Sequence, residues 1–215
     1  MPSIREWYKN KLQKPNYTIF VPDPVRAEVE AASGGKNTVL YDDLEQPSIM
    51  VVIPKFNVTT LHPTAYGTGT HPAFIRSDDT ERNEIFIGKY LASLMNGRAV
   101  SLPGRGPANY MNWDTSRGYC TAKGAGWDLT PNDFWSVAAL QSRAGGTMPT
   151  GNNNYGRDVG NYDQQGLRQD WLAPGSGGMA RTLTGSGPTA WNHDGTPFGI
   201  SDMNGNVWEW QAGLR

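Results

Sequence analysis

The sequence predicts an α+β domain of short strands, two helices and long irregular loops. Three observations lead there. Two apolar runs of strand composition, SIMVVIPKFNV at 48–58 and NEIFIGKY at 83–90, are short and bounded by turn residues. Two stretches carrying helix start and stop signals, 114–123 and 131–144, follow them. Finally, 26 glycines and 15 prolines among 215 residues leave little room for long regular elements.

Taken in order, residues 3–13 predict a short amphipathic helix capped by Ser3, with Ile4, Trp7, Tyr8 and Leu12 on one stripe. VRAEVEAA (25–32) predicts a second, stopped by Gly34-Gly35. Residues 1–46 are thus assigned as an N-terminal arm, either packed on the domain or serving oligomerisation or attachment, and residues 47–215 as the main domain. In the strand at 48–58, Pro54 argues for an edge position or a bulge. THPAFI (70–75) predicts another strand. In NEIFIGKY both faces are apolar, Ile85 and Ile87 on one and Phe86 and Tyr90 on the other, which predicts a central strand.

The helix at 114–123 takes Asp114 or Thr115 as its cap and ends at Gly124. The next opens with Thr130 as cap, Pro131 first and Asp133 third, continues through Phe134, Val137, Ala138 and Gln141, and ends at Gly145-Gly146. From 146 to 206 the chain is rich in Gly, Asn, Ser and Pro without periodicity. A loop of that length is expected to be held by ligands, ions or partners. The stretch GISDMNGNVWEW (199–210) reads as a tight turn at Asn204-Gly205-Asn206 feeding a strand. Trp208 and Trp210 share its core face, and Val207 and Glu209 the other. Trp135, Trp208 and Trp210 are therefore expected in the core.

Composition excludes several classes. Nineteen basic residues against twenty acidic ones, a net charge of -1 and a pI near 6.3 give no basic patch, so nucleic acid is not the expected partner. Cys120 is the only cysteine, which rules out an intrachain disulfide. The N-terminus has no apolar signal region and no run is long enough to span a bilayer, so synthesis in a cytoplasm and no membrane insertion are expected.

The order NEIFIGKY, SRGYCTAKG, a Leu-Thr-Pro helix start holding Trp135, GNNNYG and FGISDMNGNVWEW resembles the formylglycine-generating-enzyme (sulfatase-modifying-factor) type of C-type-lectin fold, over roughly residues 50–215. The DMNGNVWEW segment carries the resemblance most specifically; the LTPNDFWSVAA helix is a looser match. Phage-borne members and variable proteins of diversity-generating retroelements are the most similar in character. The resemblance implies a C-type-lectin-like domain. It further implies a non-catalytic phage virion protein, made in the host cytoplasm, that attaches to a host surface protein or glycan. Such a protein assembles with other virion proteins and as a homo-oligomer. A structural or decoration role in the virion is the alternative. A formylglycine-generating oxidase is disfavoured, because those enzymes bind copper through a cysteine pair near the C-terminus and this chain has Cys120 alone, aligned with the structural cysteine of the helix. The family also continues past WEW with further strands, where this sequence has only QAGLR; the expectation is a truncated form or one completed by another chain.

Two candidate sites follow. Asp202, Asn204, Asn206 and Glu209 gather oxygen ligands of the kind calcium takes. The resemblance implies calcium near this signature through Asn206 and Glu209, although no cofactor is required. The other reading is that Asn206 shapes the turn and Glu209, buried, accepts backbone hydrogen bonds. For ligand binding, Asn153, Asn154, Tyr155, Tyr162, Trp171 and Trp191 lie in the irregular region. Rigid aromatics among small polar residues have the composition of a binding surface. WNHD (191–194) is a weak match to the Trp-Asn-Asp of sugar-binding lectins, with His193 expected as a solvated loop residue.

Overall fold

The computed structural model describes residues 23–213, an α+β arrangement of three helices and five strands. The predicted helix at 3–13 lies outside the described residues. Helix α1 (Pro24–Ser33) begins where Asp23 accepts a hydrogen bond from the Arg26 N–H at 3.0 Å, with Pro24 in the first turn. It ends at Gly34, whose φ of 60° is the left-handed conformation that glycine adopts without Cβ strain. Strands β1 (Asn37–Tyr41), β2 (Pro47–Pro54) and β3 (Glu84–Gly88) form an antiparallel sheet in that order, with Val39 opposite Ile49 and Val51 opposite Ile87. A separate hairpin pairs β4 (Ser93–Met95) with β5 (Arg98–Val100).

Several expectations are corrected here. The strand containing Pro54 is the central one and β3 is at the edge. Pro54 is the last residue of β2, where a missing N–H breaks nothing in the ladder. Strand β1, which the sequence reading does not identify, occupies the other side, so the boundary drawn at residue 46 falls inside one sheet. Residues 70–75 are not a strand: Pro72–Phe74 forms a single 3-10 turn, because Pro72 fixes φ and the His71 ring accepts the Ala73 N–H at 3.2 Å. Helix α2 (Trp113–Thr121) is capped by Asn112, which accepts from the Thr115 N–H, rather than by Asp114 or Thr115. Helix α3 (Asn132–Ala144) starts one residue later than expected, with Pro131 at the cap position and no side-chain cap.

The core lies between the Val51, Ile53, Ile85, Ile87 face of the sheet and Val137 and Ala138 of α3, with Phe74 and Ile200 filling the ends. Phe74 is fully buried and meets Phe56 edge-on at 5.4 Å. The long region after α3 wraps this core. Trp191, on the 3-10 turn Thr189–Trp191, is 1 % exposed, and a Cβ on Gly187 would collide with its ring. His193 is also buried, not solvated. Its Nδ1 accepts the Ile200 N–H at 2.8 Å, and desolvation holds its pKa below the ordinary imidazole value. No helix of the described residues is long and apolar enough to cross a membrane.

Candidate functional site

Irregular backbone is stable only if its N–H and C=O groups find partners. In residues 151–186 many of those partners are the chain's own buried side chains. Asn152 donates to the Ala180 carbonyl at 2.8 Å and accepts the Gly156 N–H at 2.7 Å. Asp158 accepts the N–H groups of Gly160 and Asn161, both at 2.8 Å. Arg168, 1 % exposed, closes the 170–179 loop around its guanidinium. One terminal nitrogen donates to the carbonyls of Ala173 and Ser176, the other to those of Gly177 and Met179 and to Asp170 Oδ2 at 2.6 Å. Desolvation alone would raise Asp170; the N–H groups of Leu172 and Met179 and the Arg168 charge outweigh it and hold its carboxyl below the usual range. Gly156 leaves the space that the Arg168 stem fills. Sequence reasoning missed Arg168, although an arginine two residues before an aspartate at the mouth of a Gly-Ser loop was the available signal.

On this frame the predicted ligand residues divide. Tyr155, Tyr162 and Trp171 are exposed. The Arg157 guanidinium lies 3.9 Å from the Tyr162 ring centroid and packs beside Gly175, whose N–H bonds the Tyr155 carbonyl at 2.8 Å. Tyr155, Arg157 and Tyr162 therefore share one surface with the loop that carries Trp171. Asn153 is exposed, but its side chain is committed to the Val159 N–H and to Asp158. Asn154 is half-buried. Trp191 does not belong to this surface, because its ring is the filling under the loop.

Of the four predicted calcium ligands, three bond the chain's own groups and Glu209 lines a cavity. Asn206, at φ 64°, accepts the Thr182 N–H at 2.9 Å and an Asn152 amide hydrogen with the same oxygen, and donates to the Thr182 carbonyl. Asp202 is buried and accepts the Gly185 N–H, while Asn204 points at the Pro149 carbonyl. Among the described residues no three acidic, His or Cys side chains gather as a metal site. Asn206 serves the turn.

Residues 207–210 are not a strand, and Trp208, Trp210 and Trp135 are exposed rather than core. Trp208, Glu209 and Trp210 line a cavity of about 1250 Å³ bounded by β3, the β4–β5 hairpin, Ser116, Tyr119 and Cys120 of α2 and the start of α3. Trp210 reaches the Met111 carbonyl with its indole N–H at 2.9 Å. Glu209 keeps solvent contact through the cavity, yet it sits deep among the walls. Desolvation first, and then the charge of Asp202, pushes its carboxyl up to about 7. The carboxylate is reached by solvent from the open side of the cavity, and that screening reduces the energy that the shift represents. A carboxyl raised in the fold stabilises it fully below the unfolded value near 4.5, and that contribution is lost as pH rises through about 7. Glu209→Gln, which mimics the protonated form, is expected to match the wild type at pH 4.5 and exceed it by about 1 kcal/mol at pH 8. Urea unfolding at the two pH values measures this, and equal offsets at both would refute it.

No protein-family model matches the sequence, and no curated protein matches it significantly.

Proposed function

We propose that the chain is a C-type-lectin-like binding domain of a phage particle, without catalytic activity, that presents the 151–186 surface to a host-surface protein or glycan. The observation that carries this reading is the pairing of exposed Tyr155, Tyr162 and Trp171 with a frame of buried polar side chains that fixes the backbone beneath them. Aromatic side chains lose little conformational freedom on binding and supply most of the contact energy at interfaces. The DMNGNVWEW likeness supports the fold assignment. A non-catalytic reading is supported by the single cysteine, Cys120, whose thiol burial pushes up and away from the reactive thiolate. A second reading, a structural component bound by other virion proteins, is favoured by the exposed Trp208 and Trp210.

The test is binding of fluorescently labelled protein to a panel of bacterial strains, with the triple variant Tyr155→Ala, Tyr162→Ala, Trp171→Ala alongside. Loss of about 30-fold or more in affinity at an unchanged melting temperature is expected, as for removal of hot-spot aromatics. Undiminished binding by the triple variant refutes the proposal.

A further inference from the structure

The cavity has two walls of unpaired backbone. In β3 the Lys89 N–H bonds the Ile49 carbonyl and the Lys55 N–H bonds that of Asn83. Odd-numbered residues therefore face β2, and the N–H and C=O groups of Glu84, Phe86 and Gly88 point the other way. Among the described residues these groups have no partner, and all three residues line the cavity. Across it, the main-chain groups of Val207 to Trp210 are likewise unpaired. A strand edge left open beside exposed tryptophans is a template for another strand.

Charge narrows what fits. Glu209 accepts no hydrogen bond among the described residues, and the like-signed Asp202 is close enough to oppose its ionisation. The cationic Lys123 on the same wall is already engaged, donating to Ser48 Oγ at 2.7 Å with its ammonium 3.2 Å from the Trp127 ring centroid. Glu209 stands between Trp208 and Trp210 in the chain, and all three line the cavity. A complementary strand thus alternates apolar side chains for the indoles with a cation for the carboxylate.

We propose that the cavity is a β-strand acceptor: an extended segment of a partner protein, apolar at alternate positions with a Lys or Arg between them, adds to the free edge of β3 and sets its cation against Glu209. The partner's main chain satisfies Glu84, Phe86 and Gly88, and its apolar side chains cover Trp208 and Trp210. Tyr155 of the 151–186 surface also lines this cavity, whereas Tyr162 and Trp171 do not, so the two sites adjoin and are told apart by the β3 amides, which the 151–186 surface does not involve.

The probe is the peptide acetyl-Thr-Val-Arg-Val-Thr-Val-amide, added to the full chain, with hydrogen exchange followed residue by residue. Exchange at the Phe86 and Gly88 amides is expected to slow about tenfold or more, a step of one decade in an equilibrium constant. Replacing the peptide arginine by glutamate is expected to weaken binding about tenfold, and Glu209→Gln to remove that discrimination. Amides of Val51 and Ile53 report that the fold is intact throughout. The proposal is overturned if the Phe86 and Gly88 amides are already protected without peptide, which would mean that another part of the chain or a second copy holds the edge. It is equally overturned if neither amide slows, or if the arginine and glutamate peptides bind alike.

Discussion

Arg168→Ala is expected to destabilise the domain by about 3–5 kcal/mol, the range for removing one partner of a buried charged pair. The guanidinium is 1 % exposed and donates to four carbonyls, to Ser176 Oγ and to Asp170. Truncation strands all of these in a space that an alanine cannot fill, and Asp170 is left as an uncompensated carboxylate. Arg168→Lys keeps the charge but offers three donors from one point instead of a planar fork, so it is expected to recover less than half of the loss. Asp170→Asn in the Arg168→Ala background relieves the stranded charge and is expected to restore part of it. Denaturant unfolding of the four proteins measures the set. A loss below about 1 kcal/mol for Arg168→Ala, the worth of an ordinary hydrogen bond, would show that the loop is not organised by this side chain.

The consequence for function is direct. Trp171 sits on the loop that Arg168 closes, and the same loop packs against Arg157 beneath Tyr162. Loss of Arg168 therefore disorders the proposed binding surface before it reaches the core of Val51, Phe74 and Val137. Cell binding should fall at temperatures where helix and sheet signals are still native.

The elements legible in the sequence are those specified by local chemistry. Helix α1 ends at Gly34 and α3 at Gly145 as the glycine signals say, and the facing of Ile85 and Ile87 toward the core follows from two-residue alternation. What failed depends on partners that periodicity does not reveal. Whether β3 is central or at the edge turns on which strands pair with it, and β1 carries a polar Asn37-Thr38 start that gives no apolar run. Phe74 is as buried as expected of a core residue, but Pro72 converts its segment from strand to turn.

The site was legible in the same partial way. Tyr155, Tyr162 and Trp171 are exposed as composition suggested, while Trp191 is not, because the two indoles of this region, Trp171 and Trp191, are interchangeable by sequence and only packing against Gly166 and Gly187 separates them. The WEW stretch has the side-chain alternation of a strand, but a strand requires a neighbour to pair with, and residues 207–210 have none among the described residues. Asn206 was rightly placed in a turn, and its amide bonds Thr182 and Asn152.

Raising the pH from 7 to 10.5 is expected to stabilise the wild type by about 3 kcal/mol relative to Lys89→Met, and by a similar amount relative to Lys123→Met. Both lysines are nearly inaccessible, at 6 % and 3 % exposure, and desolvation lowers each from the ordinary 10.5 to about 8. Opposing charges recover only part of that: Asp194 for Lys89, and Asp42 and Cys120 for Lys123, while the like-charged Arg98 lowers Lys123 further. A base whose pKa is depressed in the fold binds fewer protons there than in the unfolded chain between about 8 and 10.5. Stability therefore rises across that window, is complete above 10.5, and is lost as pH falls through 8. Tyr41, Tyr90 and Cys120, all raised by burial, work in the opposite sense at the upper end of the window, so the comparison is made against each methionine variant rather than on the wild type alone. Methionine preserves the length of the apolar stem while removing the titrating group, at the expense of the bonds from Lys89 to the Pro197 and Gly199 carbonyls at 2.7 and 2.9 Å. That loss is independent of pH and shifts the whole curve, leaving its slope as the readout. Unfolding free energies at pH 7, 9 and 10.5 give the slopes; curves for the wild type and Lys89→Met that run parallel would show that Lys89 carries no desolvated charge in the fold.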